Sequence, residues 1–147
     1  MRRFEFRLES VLGWRAVELE LEEGRLERLF TERRSWEAQS RALEERRREA
    51  GQLIAAKTLD GQQLAAFSLH RHYLEREAAQ LSAKRGDCEK RIAAQQQRVV
   101  EAERKVRLLE RLKERRLGEW TLDFNREMEA LASETFLGKW AREKRRA

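Results

Sequence analysis

The stretch Lys57-Thr58-Leu59-Asp60-Gly61-Gln62-Gln63 decides the layout of the chain, because near the middle only there does a very long helical pattern stop and restart. Asp60 is placed to cap a second helix: its carboxylate can accept from the amide of residue 63, while the Gln63 side chain reaches back to the cap amide. Gly61 loosens the backbone beside it. A turn between two long helices makes an antiparallel hairpin, so the tip, the two arms and any overhang become the parts available for function. The competing reading is a kink in one continuous rod, since a glycine within a helix costs only about 1 kcal/mol.

Outward from the turn, both sides carry the same repeat. The first arm alternates steps of four and three from position 8 to 54, and Leu8, Leu12, Leu19, Leu26, Leu29, Trp36, Leu43, Ala50 and Ile54 are its apolar members. The second arm continues it through Leu64, Phe67, Leu74, Ala78, Leu81, Cys88, Ile92, Val99, Ala102, Val106 and Leu109, with Arg71, Arg85 and Gln95 as polar members. A 3.5-residue period held this long specifies a left-handed coiled coil. The predicted fold is therefore all-α: a long antiparallel two-stranded coiled-coil hairpin with a C-terminal helical overhang, one domain spanning 1–147. A three-helix bundle turning again at Gly86-Asp87 would have badly mismatched helices.

Register is set by which residues face each other, and two registers compete. Facing numbers that add to 121 give a tight tip and five apolar layers, Leu29 on Ile92 among them. A total of 128 gives seven, including Trp36 on Ile92 and Leu19 on Leu109. Because apolar burial is the main term holding the arms together, the expectation is the second: arm one over about 8–56, a long tip over about 57–73, then arm two and overhang over about 74–141. Arg15, Arg33 and Arg47 interrupt the seam in either case and can lay their stems along it.

Composition narrows the function classes. Of 147 residues 41% are charged and 40% hydrophobic, with no proline, which suits long exposed helices with a narrow seam and offers strands no support. The 33 basic and 27 acidic residues leave a net charge of +6, so most charges have a partner of opposite sign. That balance argues against a dedicated nucleic-acid binder, whose basic residues would gather on one face. Only Lys139 to Arg146 is clearly one-signed, a basic tail over 139–147. The single Cys88 fits a seam position as a small hydrophobe and suits a reducing cytoplasm. Glu5, Arg7 and Glu9 break any signal-peptide core after Met1-Arg2-Arg3-Phe4, and no segment approaches the roughly 20 apolar residues of a membrane span. His70 and His72 have no ligand cluster at metal spacing, and no phosphate-binding glycine loop or activated nucleophile is recognisable. The expectation is a non-enzyme with no catalytic residue, no metal and no cofactor.

Past about Leu112 the first arm has no residues left to offer, yet Leu117, Trp120, Phe124, Met128 and Leu131 continue at helical spacing. Such a stripe either belongs to another protein or caps the open end by packing on Phe4 and Phe6.

The opening Phe4-x-Phe6-x-Leu8-x-x-Val11-Leu12-x-x-Arg15 and the stretch Val106-Arg107-Leu108-Leu109-Glu110-Arg111-Leu112-Lys113-Glu114-Arg115, taken with the length and central turn, resemble the FliJ family of flagellar type III export proteins. The likeness covers the whole chain in layout, with its specific marks in the first 15 residues and in 106–134. Where family members carry Glu-Gln-Lys-x-x-Asp-Glu near the C-terminus, this chain has Glu127-Met128-Glu129-Ala130-Leu131-Ala132-Ser133-Glu134, keeping the first Glu and departing at the Gln, Lys and Asp-Glu positions.

The resemblance implies a cytoplasmic hairpin, similar to the stalk of a rotary ATPase, that inserts its paired termini into a hexameric export ATPase. It further implies a link to the cytoplasmic domain of the membrane export gate and contact with export chaperones, reaching the membrane only indirectly and binding no nucleic acid. On this view Trp120, Phe124, Met128 and Leu131 bind the ATPase, with the basic tail near its acidic surfaces, and Phe67 and Tyr73 at the tip bind the gate. The rival class is a homodimerising coiled-coil scaffold, or a basic-tailed rod associated with ribosomes or nucleic acid.

Overall fold

The computed structural model describes residues 2–56 and 58–147; Met1 and Lys57, where the expected tip begins, lie outside them. Two helices account for nearly all of the described chain, α1 over Glu9–Ala56 and α2 over Gly61–Arg146, and they pack against each other as an all-α hairpin. High helix propensity along both and the absence of proline let them run without interruption. α2 passes through Gly86 and Gly118 without a break, so neither a bundle nor a second turn forms.

The turn has the capping geometry expected of it. The Gln63 amide donates to Asp60 Oδ1 at 2.8 Å, and the Asp60 amide donates to Gln63 Oε1 at 3.1 Å. Two of the amides left free at a helix start are thereby satisfied within four residues, which sets the first residue of α2 at Gly61. No described glycine has a positive φ, so Gly61 serves as an ordinary first helical residue and not as a left-handed hinge. At its other end α1 begins where the Glu9 amide donates to the Phe6 carbonyl at 3.0 Å.

The chain divides into two units, Leu19–Glu101 and Met1–Glu18 with Ala102–Ala147. In the first, Leu43, Leu74, Cys88, Ile92, Gln95 and Val99 are buried, five of the six on α2. In the second, Ala102 and Val106 are buried.

The register differs from the expected one. Arg33 pairs with Glu89 at 3.6 Å, Arg91 with Glu32 at 2.5 Å, and Arg46 with Glu77 at 4.0 Å across the two helices, while Cys88 meets the Leu29 carbonyl and Gln95 meets Glu22, so facing residue numbers add to between 117 and 123. This is the tight register, and α2 is already helical from Gly61, so the expected tip reaching to 73 does not form. The difference has a physical reason in polar contacts that a count of apolar layers leaves out. In this register Arg33 reaches Glu89 and Arg91 reaches Glu32, while the buried Cys88 and Gln95 find partners in the Leu29 carbonyl and in Glu22. Buried polar groups that stay paired avoid a desolvation cost that an apolar layer count does not register.

Candidate partner-binding surfaces

In the Leu19–Glu101 unit, the seam beside the turn is underfilled. Phe67 is half-buried and lines a concavity between the helices with Arg47, Ala50, Gly51, His70 and Leu74. Ala50 and Gly51 are too small to fill the space that the phenyl ring and the arginine stems frame. Tyr73 is placed differently: its ring is 54% exposed and stacks on His70 with centroids 6.5 Å apart. The hydroxyl donates to the Glu77 carboxylate at 2.6 Å. That hydrogen bond, reinforced by the carboxylate's charge, raises the phenol's pKa above its usual value. Six residues of helix separate Phe67 and Tyr73, which turns them about 120° apart. They are two surfaces, not one patch. Leu69, 73% exposed and four residues before Tyr73, shares the outward face with it. Seam reading passes over Leu69 because it is not a seam position; its spacing to Tyr73 is the signal.

Farther along the same unit the seam turns polar. Gln95 is buried, and its side-chain amide donates to the Glu22 carbonyl at 3.0 Å and to the Glu22 carboxylate. The Cys88 thiol points at the Leu29 carbonyl at 3.6 Å, and burial pushes its pKa up. Beside it, the hydrogen bond from Arg91 holds the Glu32 carboxyl below its usual range.

In the other unit the aromatic stripe is divided. Phe4 packs on Trp120 with ring centroids 6.1 Å apart, and Trp120 stacks on Phe124 at 5.3 Å with planes 16° apart. Lys113 of α2 holds the first residue of α1 beside it by pairing with Glu9 at 2.8 Å. The upper half of the stripe is thus partly capped by residues that precede α1. Met128 and Leu131 have no such cover and are 50% and 55% exposed. Beyond them the helix continues with Phe136, Leu137 and Trp140 also exposed. These three were not among the expected site residues, because Phe136 and Leu137 leave the stripe's spacing and Trp140 lies within a tail read only for its charge.

No protein-family model matches this chain, and neither a curated protein nor a solved structure does. Among the described residues no helix is long and apolar enough to cross a membrane, and no three His, Cys, Asp or Glu side chains gather where a metal ion could be held.

Proposed function

We propose that this chain is a non-enzymatic, stalk-like component of a flagellar type III protein export apparatus, linking the hexameric export ATPase to the membrane export gate and its chaperones. The observation that carries the reading is the pairing of the two stretches on which the family resemblance rests. Glu9 and Lys113, one from each, form an ion pair, and Phe4 of the first lies on Trp120 just beyond the second. Their joint product is a paired base from which α2 continues alone, presenting Met128 and Leu131. A bare helical stripe on a braced base supports insertion into a ring of subunits, where each such side chain buried contributes roughly 1.5 to 3 kcal/mol. On this reading the protein acts in the cytoplasm and is held at the inner face of the membrane through the apparatus, with Phe67 and Tyr73 as the gate contacts.

The partial capping of Trp120 and Phe124 changes which substitution tests the idea. Met128→Ala with Leu131→Ala removes exposed apolar groups without touching the cap, so helicity and thermal stability should be unchanged while capture of the export ATPase and stimulation of ATP hydrolysis fall at least tenfold. If that variant stimulates the ATPase at the wild-type concentration, the ATPase contact is not at this stripe. If wild-type protein neither binds the ATPase nor the gate's cytoplasmic domain, the export reading itself is wrong.

A further inference from the structure

The last turns of α2 carry a second amphipathic pattern, separate from the stripe. At about 100° per residue, Phe136, Leu137 and Trp140 fall within an arc of about 100°, while Lys139, Arg142, Arg145 and Arg146 fall on the opposite side. Ser133 and the small Ala132 extend the uncharged face. The three large apolar side chains are 53% to 68% exposed, and α2 remains helical through Arg146. Between 132 and 147 five basic residues stand against two acidic ones, Glu134 and Glu143. Two charged residues border or enter the apolar side: Glu143 stands at its edge, about 20° beyond Phe136, and Lys144 lies within it, with its ammonium 4.9 Å from the Trp140 ring centroid.

We infer that residues 132–146 form an interfacial helix that docks directly on an anionic lipid surface, with Phe136, Leu137 and Trp140 inserted among the headgroups and the basic residues held at the phosphates. A short helix with Trp, Phe and Leu on one face and Lys and Arg on the other has the composition that lies in a membrane interface. Tryptophan suits the headgroup depth because its ring is apolar and its N–H is polar. Lysine and arginine stems can run along the apolar layer while their charges stay in water, as Lys144 already does over Trp140. A groove on a partner protein is the poorer occupant. Such grooves take anchors repeated at i, i+3 or i+4 and i+7, but about two turns before Phe136 stands Glu129 and one turn after Trp140 stands Lys144, so the anchor run ends after little more than a turn.

This goes beyond the export reading, in which the membrane is reached only through other proteins, and it can fail or stand independently of it. The surface is also distinct from the ATPase stripe, since Met128 and Leu131 face the side on which the basic residues continue.

The test is co-flotation of the full-length chain with vesicles of phosphatidylcholine containing about one third phosphatidylglycerol, compared with pure phosphatidylcholine. Binding should appear only on the anionic vesicles and weaken as salt is raised, with roughly a fivefold loss for each tail arginine replaced by glutamine. The triple variant Phe136→Ala, Leu137→Ala, Trp140→Ala should lose binding at least tenfold with its circular dichroism unchanged, whereas Met128→Ala with Leu131→Ala should bind vesicles as wild type does. No binding by wild type at low salt overturns the inference. So does a triple variant that binds equally well, which would reduce the tail to a non-specific basic patch. If vesicles are ignored but the triple variant loses capture of the export ATPase, the face belongs to a protein interface and the lipid assignment is wrong.

Discussion

Ile92 and Leu131 are aliphatic residues on one continuous helix, yet Ile92 is 3% exposed and Leu131 is 55% exposed. Around Ile92 the opposite helix is present and the neighbouring layers are mixed, with Cys88 and Gln95 on one side and arginine and glutamate on the other. Around Leu131 no described segment covers the helix. The contrast teaches that local sequence makes the helix in both places, while a partner strand decides whether its apolar face is core or interface. It also shows how polar the core of such a hairpin can be without leaving groups unsatisfied: among the described residues no buried side-chain nitrogen or oxygen lacks a hydrogen-bond partner.

The sharpest way to break the comparison is to truncate both residues. Ile92→Ala should cost about 2 to 4 kcal/mol in denaturant unfolding, because it removes packed methyl groups and leaves a void. Leu131→Ala should change stability by less than about 0.5 kcal/mol. Equal costs would mean that the bare helix is covered in solution.

Next in size is the polar layer. Gln95→Ala should cost about 1 to 2 kcal/mol, since Glu22 loses two hydrogen bonds from a buried donor. Gln95→Leu should be milder in stability but looser in register, as when a buried polar pair that fixes alignment is made apolar. In a Cys88→Ser background, cysteines at Leu29 and Ile92 should crosslink efficiently and cysteines at Trp36 and Ile92 should not. Adding Gln95→Leu should narrow that difference, and an unchanged ratio would show that the layer does not pin the register.

Smaller gains should come from the glycines inside α2. A Cβ at Gly86 or Gly118 meets no atom within 4 Å, so either replaced by alanine should stabilise the chain by roughly 0.5 to 1 kcal/mol by thermal or chemical denaturation. Loss of stability at Gly86 would reveal close packing there.

The smallest effect concerns pH. Arg91 holds the folded Glu32 carboxyl below its ordinary value of 4.5, so the pair's contribution is fully present above that value and is lost as pH falls through the folded pKa. The stability difference between wild type and Glu32→Gln should therefore shrink on acidification. A difference that stays constant down to about pH 3 would show that the depressed carboxyl contributes nothing.

Much of this architecture could be read directly from the residues. The 3.5-residue repeat on both sides of Asp60, the capping box with Gln63 and the absence of proline determined two long helices, the position of the turn and the seam, because backbone propensity, capping and periodicity are local properties. The register was not legible in the same way. It depended on which polar contacts close across the helices, as between Arg91 and Glu32 or Gln95 and Glu22, and these are settled only when the two helices meet. The candidate surfaces divide along the same line. Sequence marked Trp120, Phe124, Met128 and Leu131 as one stripe, but only packing against Phe4 could separate the half that is covered from the half that is free, since burial depends on a segment more than a hundred residues away in the chain.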